Sequence, residues 1–406
     1  MSQINAKDDL KQLPIVLDHF IGWLESYGET SWDHQSYYAG PLGRRAKGLY
    51  YRNKLLGTLA VSPMVFSEAF FPAARRLFHH RMRLPIADAH YAMGFAFLHE
   101  VTSKPEYLKK AAHFLEVLQQ SRSPGFQEYC WGYPFDWVWR GGIIKAHTPL
   151  ITTTPYVFEA FLLAHRMAPR PEWREVLTSS VRHALTDIKD YPYSPTATTC
   201  SYTPTDKGGV VNSAAYRAAM LVQASKYLGD PSWMKVAEGN INFVLETQNP
   251  DGSWPYAKDG VRDFVDHFHT CFVMKALAKI YKHNPDPRIF EALKRGVEYY
   301  LNNLFAEDGM PRPFSKAPRL TVYKCELYDC AECINLCVLL KSNFPALGKK
   351  LEHVVGTILR DWVKPDGSFR SRKLILGWDN VPMHRWAQSQ MFRSLAFYLH
   401  NTTLKA

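Results

Sequence analysis

Polar and titratable side chains recur at the beginnings of six apolar stretches: Asp88 and His90; Tyr156 and Glu159; Asn212, Tyr216 and Arg217; Asp266, His267 and His269; Tyr328, Asp329 and Glu332; His384, Arg385 and Gln388. Such groups are costly inside an apolar segment unless they are paired or used. Tyr and His can exchange a proton with a carbon acid, and a neighbouring Arg or Asn can neutralise a carboxylate and so acidify the carbon beside it. The set therefore suits proton abstraction at C5 of a uronic sugar, which is epimerase or lyase chemistry, with His269, Tyr216, Tyr328 and His384 as acids and bases. Glycoside hydrolysis instead needs two carboxylates about 5 to 9 Å apart. Asp266, Asp329 and Glu332 could supply those, and both chemistries stay open.

Each residue also has a plainer role available. An Asp at a helix start is ordinarily an N-cap, which covers Asp88, Asp266 and Asp329. His267 and His269 are two apart and cannot share a helix face; His269 pairs with Asp266 at i and i+3, leaving His267 as a core histidine or a substrate contact. An Arg as early in an apolar helix as Arg217 wants a carboxylate, from the protein or from a substrate, and the expectation favours substrate. Asn212, Arg385, Gln388 and His90 complete the expected contacts. The densest aromatic stretch, Tyr129 to Arg140, contributes Trp131, Asp136, Trp137 and Trp139 as a platform for sugar rings, unless the loop folds over its own apolar side chains. Trp254 is a further candidate contact.

The elements that must position these residues repeat. Asp-Gly occurs at 251, 308 and 366, spacings of 57 and 58. Pro followed closely by an aromatic opens helical patterns at Pro105/Tyr107, Pro171/Trp173, Pro231/Trp233 and Pro287/Phe290, Pro being welcome in a first helical turn. The spacing predicts half-buried helices over 107–120, 173–188, 233–247, 289–304 and 347–363. Between them run six uniformly apolar helices beginning near Asp88, Thr154, Asn212, Asp266, Tyr328 and His384. Residues 15–27 supply the sixth outer helix and close a ring. The expectation is one domain over 1–406, with 57–80 as an inserted helix or lid, and with the polar helix starts and long aromatic loops at one mouth.

Composition narrows the partner. The 406 residues are 46% hydrophobic, 21% charged and 14% aromatic, with net charge +11, which favours an anionic ligand such as an acidic polysaccharide or oligosaccharide. No basic tail or phosphate-tracking stripe points to nucleic acid. No run of about 18 apolar residues exists to span a membrane, and the N-terminus lacks a leader pattern, so the expected location is cytoplasmic. Seven Cys, an odd number, read as reduced thiols. Cys330, Cys333 and Cys337 fall at helical spacing and read as small core residues, so no metal or cofactor is expected.

The alternation of apolar and amphipathic helices resembles the all-α (α/α)6 toroid shared by polysaccharide lyases, glycoside hydrolases and glucuronyl C5-epimerases. The run Gln248-Asn-Pro-Asp-Gly-Ser-Trp254-Pro-Tyr256, followed by Phe264-Val-Asp266-His267-Phe-His269, is similar to a family encoded among bacterial capsule and exopolysaccharide biosynthesis genes. The resemblance implies a carbohydrate-active enzyme of surface-polysaccharide assembly. A non-catalytic glycan-binding or scaffolding subunit is the other class consistent with the same aromatic cavity.

Overall fold

The computed structural model of the chain describes residues 6–404. Helix α1 (Ala6–Tyr27) is followed by three helices of a long connection, α2 (Ser36–Ala39), α3 (Pro41–Arg52) and α4 (Lys54–Phe70). The remainder alternates: α5 (Pro85–Thr102), α6 (Pro105–Gln120), α7 (Thr154–Met167), α8 (Pro171–Thr186), α9 (Val211–Leu228), α10 (Met234–Glu246), α11 (His267–His283), α12 (Pro287–Asn303), α13 (Leu327–Leu340), α14 (Ala346–Thr357) and α15 (Ser389–Leu404). Odd-numbered helices from α5 to α15 pack as a closed inner ring, α15 returning to α5, and the even-numbered ones from α6 to α14 lie outside. Helix α1 packs beside α14 and α15 as the sixth outer helix, which completes an (α/α)6 toroid.

Composition explains the layers. In α13 every residue from Leu327 to Val338 is buried, as a helix apolar all round requires. Outer helix α12 instead buries Ile289, Ala292, Leu293, Gly296, Val297 and Tyr300, a single stripe at three- and four-residue spacing.

The repeated Asp-Gly turns set the angular step of the ring. Asp251 accepts the Ser253 N–H at 2.9 Å and its hydroxyl at 2.7 Å, and Asp366 does the same for Ser368 at 3.0 and 2.7 Å. Gly252 and Gly367 sit at φ +92° and +87°, where only Gly is unstrained. A Cβ on Gly252 would stand 2.3 Å from the Arg295 carbonyl of α12, and one on Gly367 would stand 2.5 Å from the His19 carbonyl of α1. Each turn thus docks on the next outer helix, and the last one lands on α1.

Connections are strongly asymmetric. At one end of the ring, α5 meets α6 through residues 103–104 and α7 meets α8 through 168–170. At the other end, where the inner helices begin, the chain spends 28–84, 121–153, 187–210, 247–266, 304–326 and 358–388. These long loops carry the short antiparallel pairs β1 (Trp137–Trp139) with β2 (Gly142–Ile144), β3 (Asp190–Pro192) with β4 (Thr198–Cys200), and β5 (Val265–Asp266) with β6 (Phe314–Lys316). They also carry a three-stranded sheet of β7 (Tyr323–Glu326), β8 (Arg372–Leu374) and β9 (Trp378–Asp379).

His384 fastens this end where the ring closes. Its Nε2–H donates to the Gly28 carbonyl at 2.9 Å, which fixes the tautomer, so Nδ1 accepts from the Tyr91 hydroxyl at 2.6 Å. Burial holds the imidazole down to about 4. The unfolded chain, with an ordinary histidine near about 6.5, therefore binds the extra proton between those values. The stability tied to neutral His384 is complete above the unfolded value and is lost as pH falls towards 4, on the order of 3 kcal/mol in all. Scanning calorimetry should show the melting temperature falling over that window, and His384→Gln, less stable near neutrality, should show a shallower fall.

Candidate active site

Two carboxylate-backed imidazoles lie at the end of the ring where the inner helices begin, separated by the rings of Trp386 and Phe268. The first depends on Asp33, in the connection after α1. Its oxygens accept from Arg385 Nε at 2.9 Å and Nη2 at 2.6 Å, both partners being buried. Burial alone would raise the Asp33 carboxyl, yet Arg385 and His34 hold it well below the usual carboxylate range. His34 Nδ1 lies 3.2 Å from both Asp33 Oδ1 and Arg385 Nη2. Burial is the main reason the His34 imidazole is lowered to about 4. Its ring stands 4.1 Å from that of Trp386, which in turn stacks on Tyr328 at 4.2 Å. Trp386 Nε1–H donates to Glu326 at 2.8 Å, Glu326 accepts from Arg372 Nε at 3.0 Å, and Arg372 reaches on to Glu68 of α4.

The second imidazole follows from helix capping. Asp266 is the N-cap of α11 and accepts the His269 N–H at 2.9 Å, while its other oxygen meets His269 Nδ1 at 2.6 Å. The carboxylate is 2% exposed and the imidazole 21%, so His269 Nε2, without a partner among the described residues, is left for the mouth. Tyr256 meets the ring edge-on at 4.6 Å, with Phe264 stacked on Tyr256 at 4.7 Å. Phe268 lies 4.3 Å from His269 and 5.5 Å from Trp386, so an aromatic floor joins the two imidazoles. Trp137 forms another wall, 6.2 Å from Tyr133 and 6.3 Å from Tyr202, and the Arg385 guanidinium covers the Tyr133 ring at 4.6 Å.

Of the residues expected from sequence, this recess gathers Asp266, His269, Tyr328, Arg385 and Trp137. Trp139 is half-buried nearby, with the Arg262 guanidinium 5.9 Å from its ring. Asp136 accepts the Ala146 N–H at 3.0 Å and lies 3.8 Å from Arg44, so it ties its loop to α3.

The other expected residues are placed elsewhere. Tyr216, Glu332 and His90 lie on the ring axis. There the Tyr216 and Tyr156 hydroxyls are 2.6 Å apart, Glu332 is paired with Lys275, and His90 stands 4.7 Å from the Tyr156 ring. Lys279 of α11 and Arg393 of α15 both reach Glu159 of α7. These are not neighbouring helices in the ring, so the contacts cross its lumen and fill it. Burial pushes the Tyr216 hydroxyl well above its ordinary range, which makes it a poor base.

Arg217 turns outward. It donates to the Ala184 carbonyl at 2.8 Å and pairs with Asp190, which corrects the expectation of a substrate carboxylate there. His267 faces α12, with Nδ1 at 3.0 Å from the Leu304 carbonyl and Nε2 at 2.8 Å from the Tyr300 hydroxyl, and is a satisfied core histidine. His384 is the fastener described above. Gln388 clamps both backbone groups of Phe369 at 3.0 and 2.7 Å. Trp131 and Trp254 are buried and donate to the Leu118 and Val244 carbonyls at 2.8 and 2.9 Å, so both are core rather than platform. Asn212 is buried, as is Asp329, whose carboxyl burial and the nearby Glu326 push well above the carboxylate range. Asp88 is no cap, for Leu84 holds that position. Burial raises the Asp88 carboxyl to about 7 although Arg83 pairs with it at 3.0 Å.

Asp33, His34 and Trp386 were not legible as site residues. His34 belongs to the same class of mouth loop as the others, but the helices inserted between it and α5 separate it from the helix start that it serves. Trp386 is displaced from helix-face arithmetic because its backbone, φ −131° and ψ 66°, is not helical.

No family model matches the chain, and no curated protein matches its sequence. Solved structures do resemble it. The cellobiose 2-epimerase from Bacillus thermoamylovorans superposes with a TM-score of 0.62 at 10% identity, over 80% of this chain and 88% of that one. An unsaturated glucuronyl hydrolase specific for heparin gives 0.57 at 11% identity, over 78% and 87%. The GH76 α-mannanase from Bacteroides thetaiotaomicron gives 0.59 at 9% identity, over 80% and 88%. At these identities the likeness is one of fold, the (α/α)6 toroid.

The placement of the tryptophans separates two outcomes. Trp254→Ala should cost about 3 to 5 kcal/mol in urea unfolding, whereas Trp137→Ala, at a side chain half-buried in a mouth loop, should cost markedly less.

Proposed function

We propose that the protein is a carbohydrate-processing enzyme that transfers a proton at a sugar carbon. The reading is epimerase or lyase chemistry on an acidic, uronate-containing glycan or its precursor, in bacterial surface-polysaccharide assembly. The observation that carries it is the Asp266–His269 pair, whose Nε2 has no partner among the described residues and whose imidazole is flanked by the Tyr256 and Phe268 rings. With Nδ1–H held by Asp266, neutral His269 presents the Nε2 lone pair as a base, and Asp266 stabilises the imidazolium that forms. His34, on the far side of Phe268 and Trp386, has Nδ1 against Asp33 and Arg385 and Nε2 2.8 Å from Gln35 Nε2, so a second proton donor there requires Gln35 to move aside.

Of the carboxylates here, Asp33 pairs with Arg385, Glu326 and Glu68 with Arg372, and Asp266 with His269. Asp329, buried close to Glu326 and Asp266, has no hydrogen-bond partner among the described residues, so the second reading, hydrolysis, would use it as the acid. A scaffold that only binds glycan needs no Asp-backed imidazole.

Incubation with uronate oligosaccharides in heavy water should place deuterium at C5 or yield an unsaturated, ultraviolet-absorbing product. His269→Gln should slow this by roughly 10² to 10⁴-fold. Neither product, or new reducing ends that survive His269→Gln, would overturn the reading. Asp266→Asn, which keeps a capping side chain but removes the charge behind the imidazole, should lower kcat with KM little changed.

A further inference from the structure

Among the described residues, eighteen large apolar side chains are exposed, and nine of them fall between Leu42 and Leu77. On α4, Leu55, Leu59, Phe66 and Phe70 follow one another at helical spacing, with Leu55 75%, Leu59 66% and Phe66 57% exposed. The opposite side of α4 is the one packed on the protein, through Gly57 against the Tyr50 backbone and Glu68 against Arg372. Leu56 and Phe71 widen the exposed stripe. A soluble surface seldom leaves so continuous an apolar face without an occupant.

Two further observations point to the occupant. Residues 41–83 contain nine Lys or Arg against a single Glu, a net +8 of the chain's +11. Arg45, Arg52 and Lys54 are exposed beside the apolar stripe. The same side of the molecule also shows Ile143, Val261, Leu320, Ile375 and Leu376 at the tips of the mouth loops. The α3–α4 hairpin is fastened to that side by Arg44 to Asp136 and Glu68 to Arg372, and the turn after it by Arg75 to Asp379. No described helix is long and apolar enough to cross a membrane. An apolar stripe flanked by cations on a helix that cannot span is the pattern of an interfacial helix, its apolar face in the acyl boundary and its cations among anionic headgroups.

We propose that the α3–α4 hairpin docks the mouth of the toroid on an anionic membrane surface, with Leu55, Leu59 and Phe66 entering the lipid and Arg45, Arg52 and Lys54 meeting the headgroups. Docking does not depend on the proposed chemistry, and vesicle binding is read without turnover, so either can fail alone. The full chain should float with vesicles of equal parts phosphatidylglycerol and phosphatidylcholine. It should bind pure phosphatidylcholine far more weakly, and high salt should reduce binding. The variant Leu55→Asp, Leu59→Asp, Phe66→Asp should lose binding by roughly tenfold or more. Arg45→Glu, Arg52→Glu, Lys54→Glu, which alters surface charge alone, should lose it similarly with an unchanged melting curve. Absence of vesicle binding by the wild type, or binding that persists in the charge-reversal variant, would overturn the proposal. So would light scattering that finds a stable dimer made monomeric by the aspartate variant, since a second copy would then cover the face.

Discussion

The bidentate pair of Arg385 and Asp33 is the contact on which the mouth depends. It joins residues 352 apart in sequence, one on the approach to the last inner helix and the other just after α1. Neither charge has water to fall back on, so the pair holds only because both oxygens and two guanidinium nitrogens are matched. His34, Trp386 and Tyr133 take their positions from it. The His34 imidazole sits against the ion pair, Trp386 follows Arg385 in the chain, and Tyr133 lies under the guanidinium. Ring closure and site assembly are the same event.

A second set of buried charges works on the axis. Lys275 with Glu332, and Lys279 with Arg393 around Glu159, place ions where a bundle of apolar helices would otherwise be filled by aliphatic side chains. Burial lowers Lys279 to about 8 even with Glu159 beside it, although both side chains keep some contact with solvent, 19% and 15% exposed. Ion pairs of this kind add little net stability over a well-packed apolar core. What they do supply is register. Lys275 and Glu332 tie the neighbouring α11 and α13, and Glu159 of α7 takes Lys279 of α11 and Arg393 of α15 across the ring, so sliding one inner helix against the others would strand a charge.

The ring itself was legible because its signals are local. Apolar stripes, Pro at helix starts and Asp-Gly turns at a near-constant step each act through neighbours in sequence, and inner and outer layers follow from them. The site was only partly legible. His269 and Asp266 could be paired because a cap and its i+3 neighbour are set by helix geometry alone. Arg217, His267 and His384 point away because each inner helix has two polar environments, the lumen and the seam with the outer layer, and residue type does not tell them apart. Trp131 and Trp254 look like platforms until their indole N–H groups are seen to reach helix carbonyls. His34 came from a connection that an inserted hairpin had separated from the repeat.

The filled lumen makes the toroid a cup rather than a tube. A polymer cannot thread through the ring, so whatever enters the mouth leaves by the same opening. A chain end, or a short stretch bent inwards, is the part of a polymer that such a cup can hold. Under the function proposed above, each turnover would then end in release rather than in sliding to the next unit, the behaviour of an enzyme that samples many chains over one that travels along a single chain.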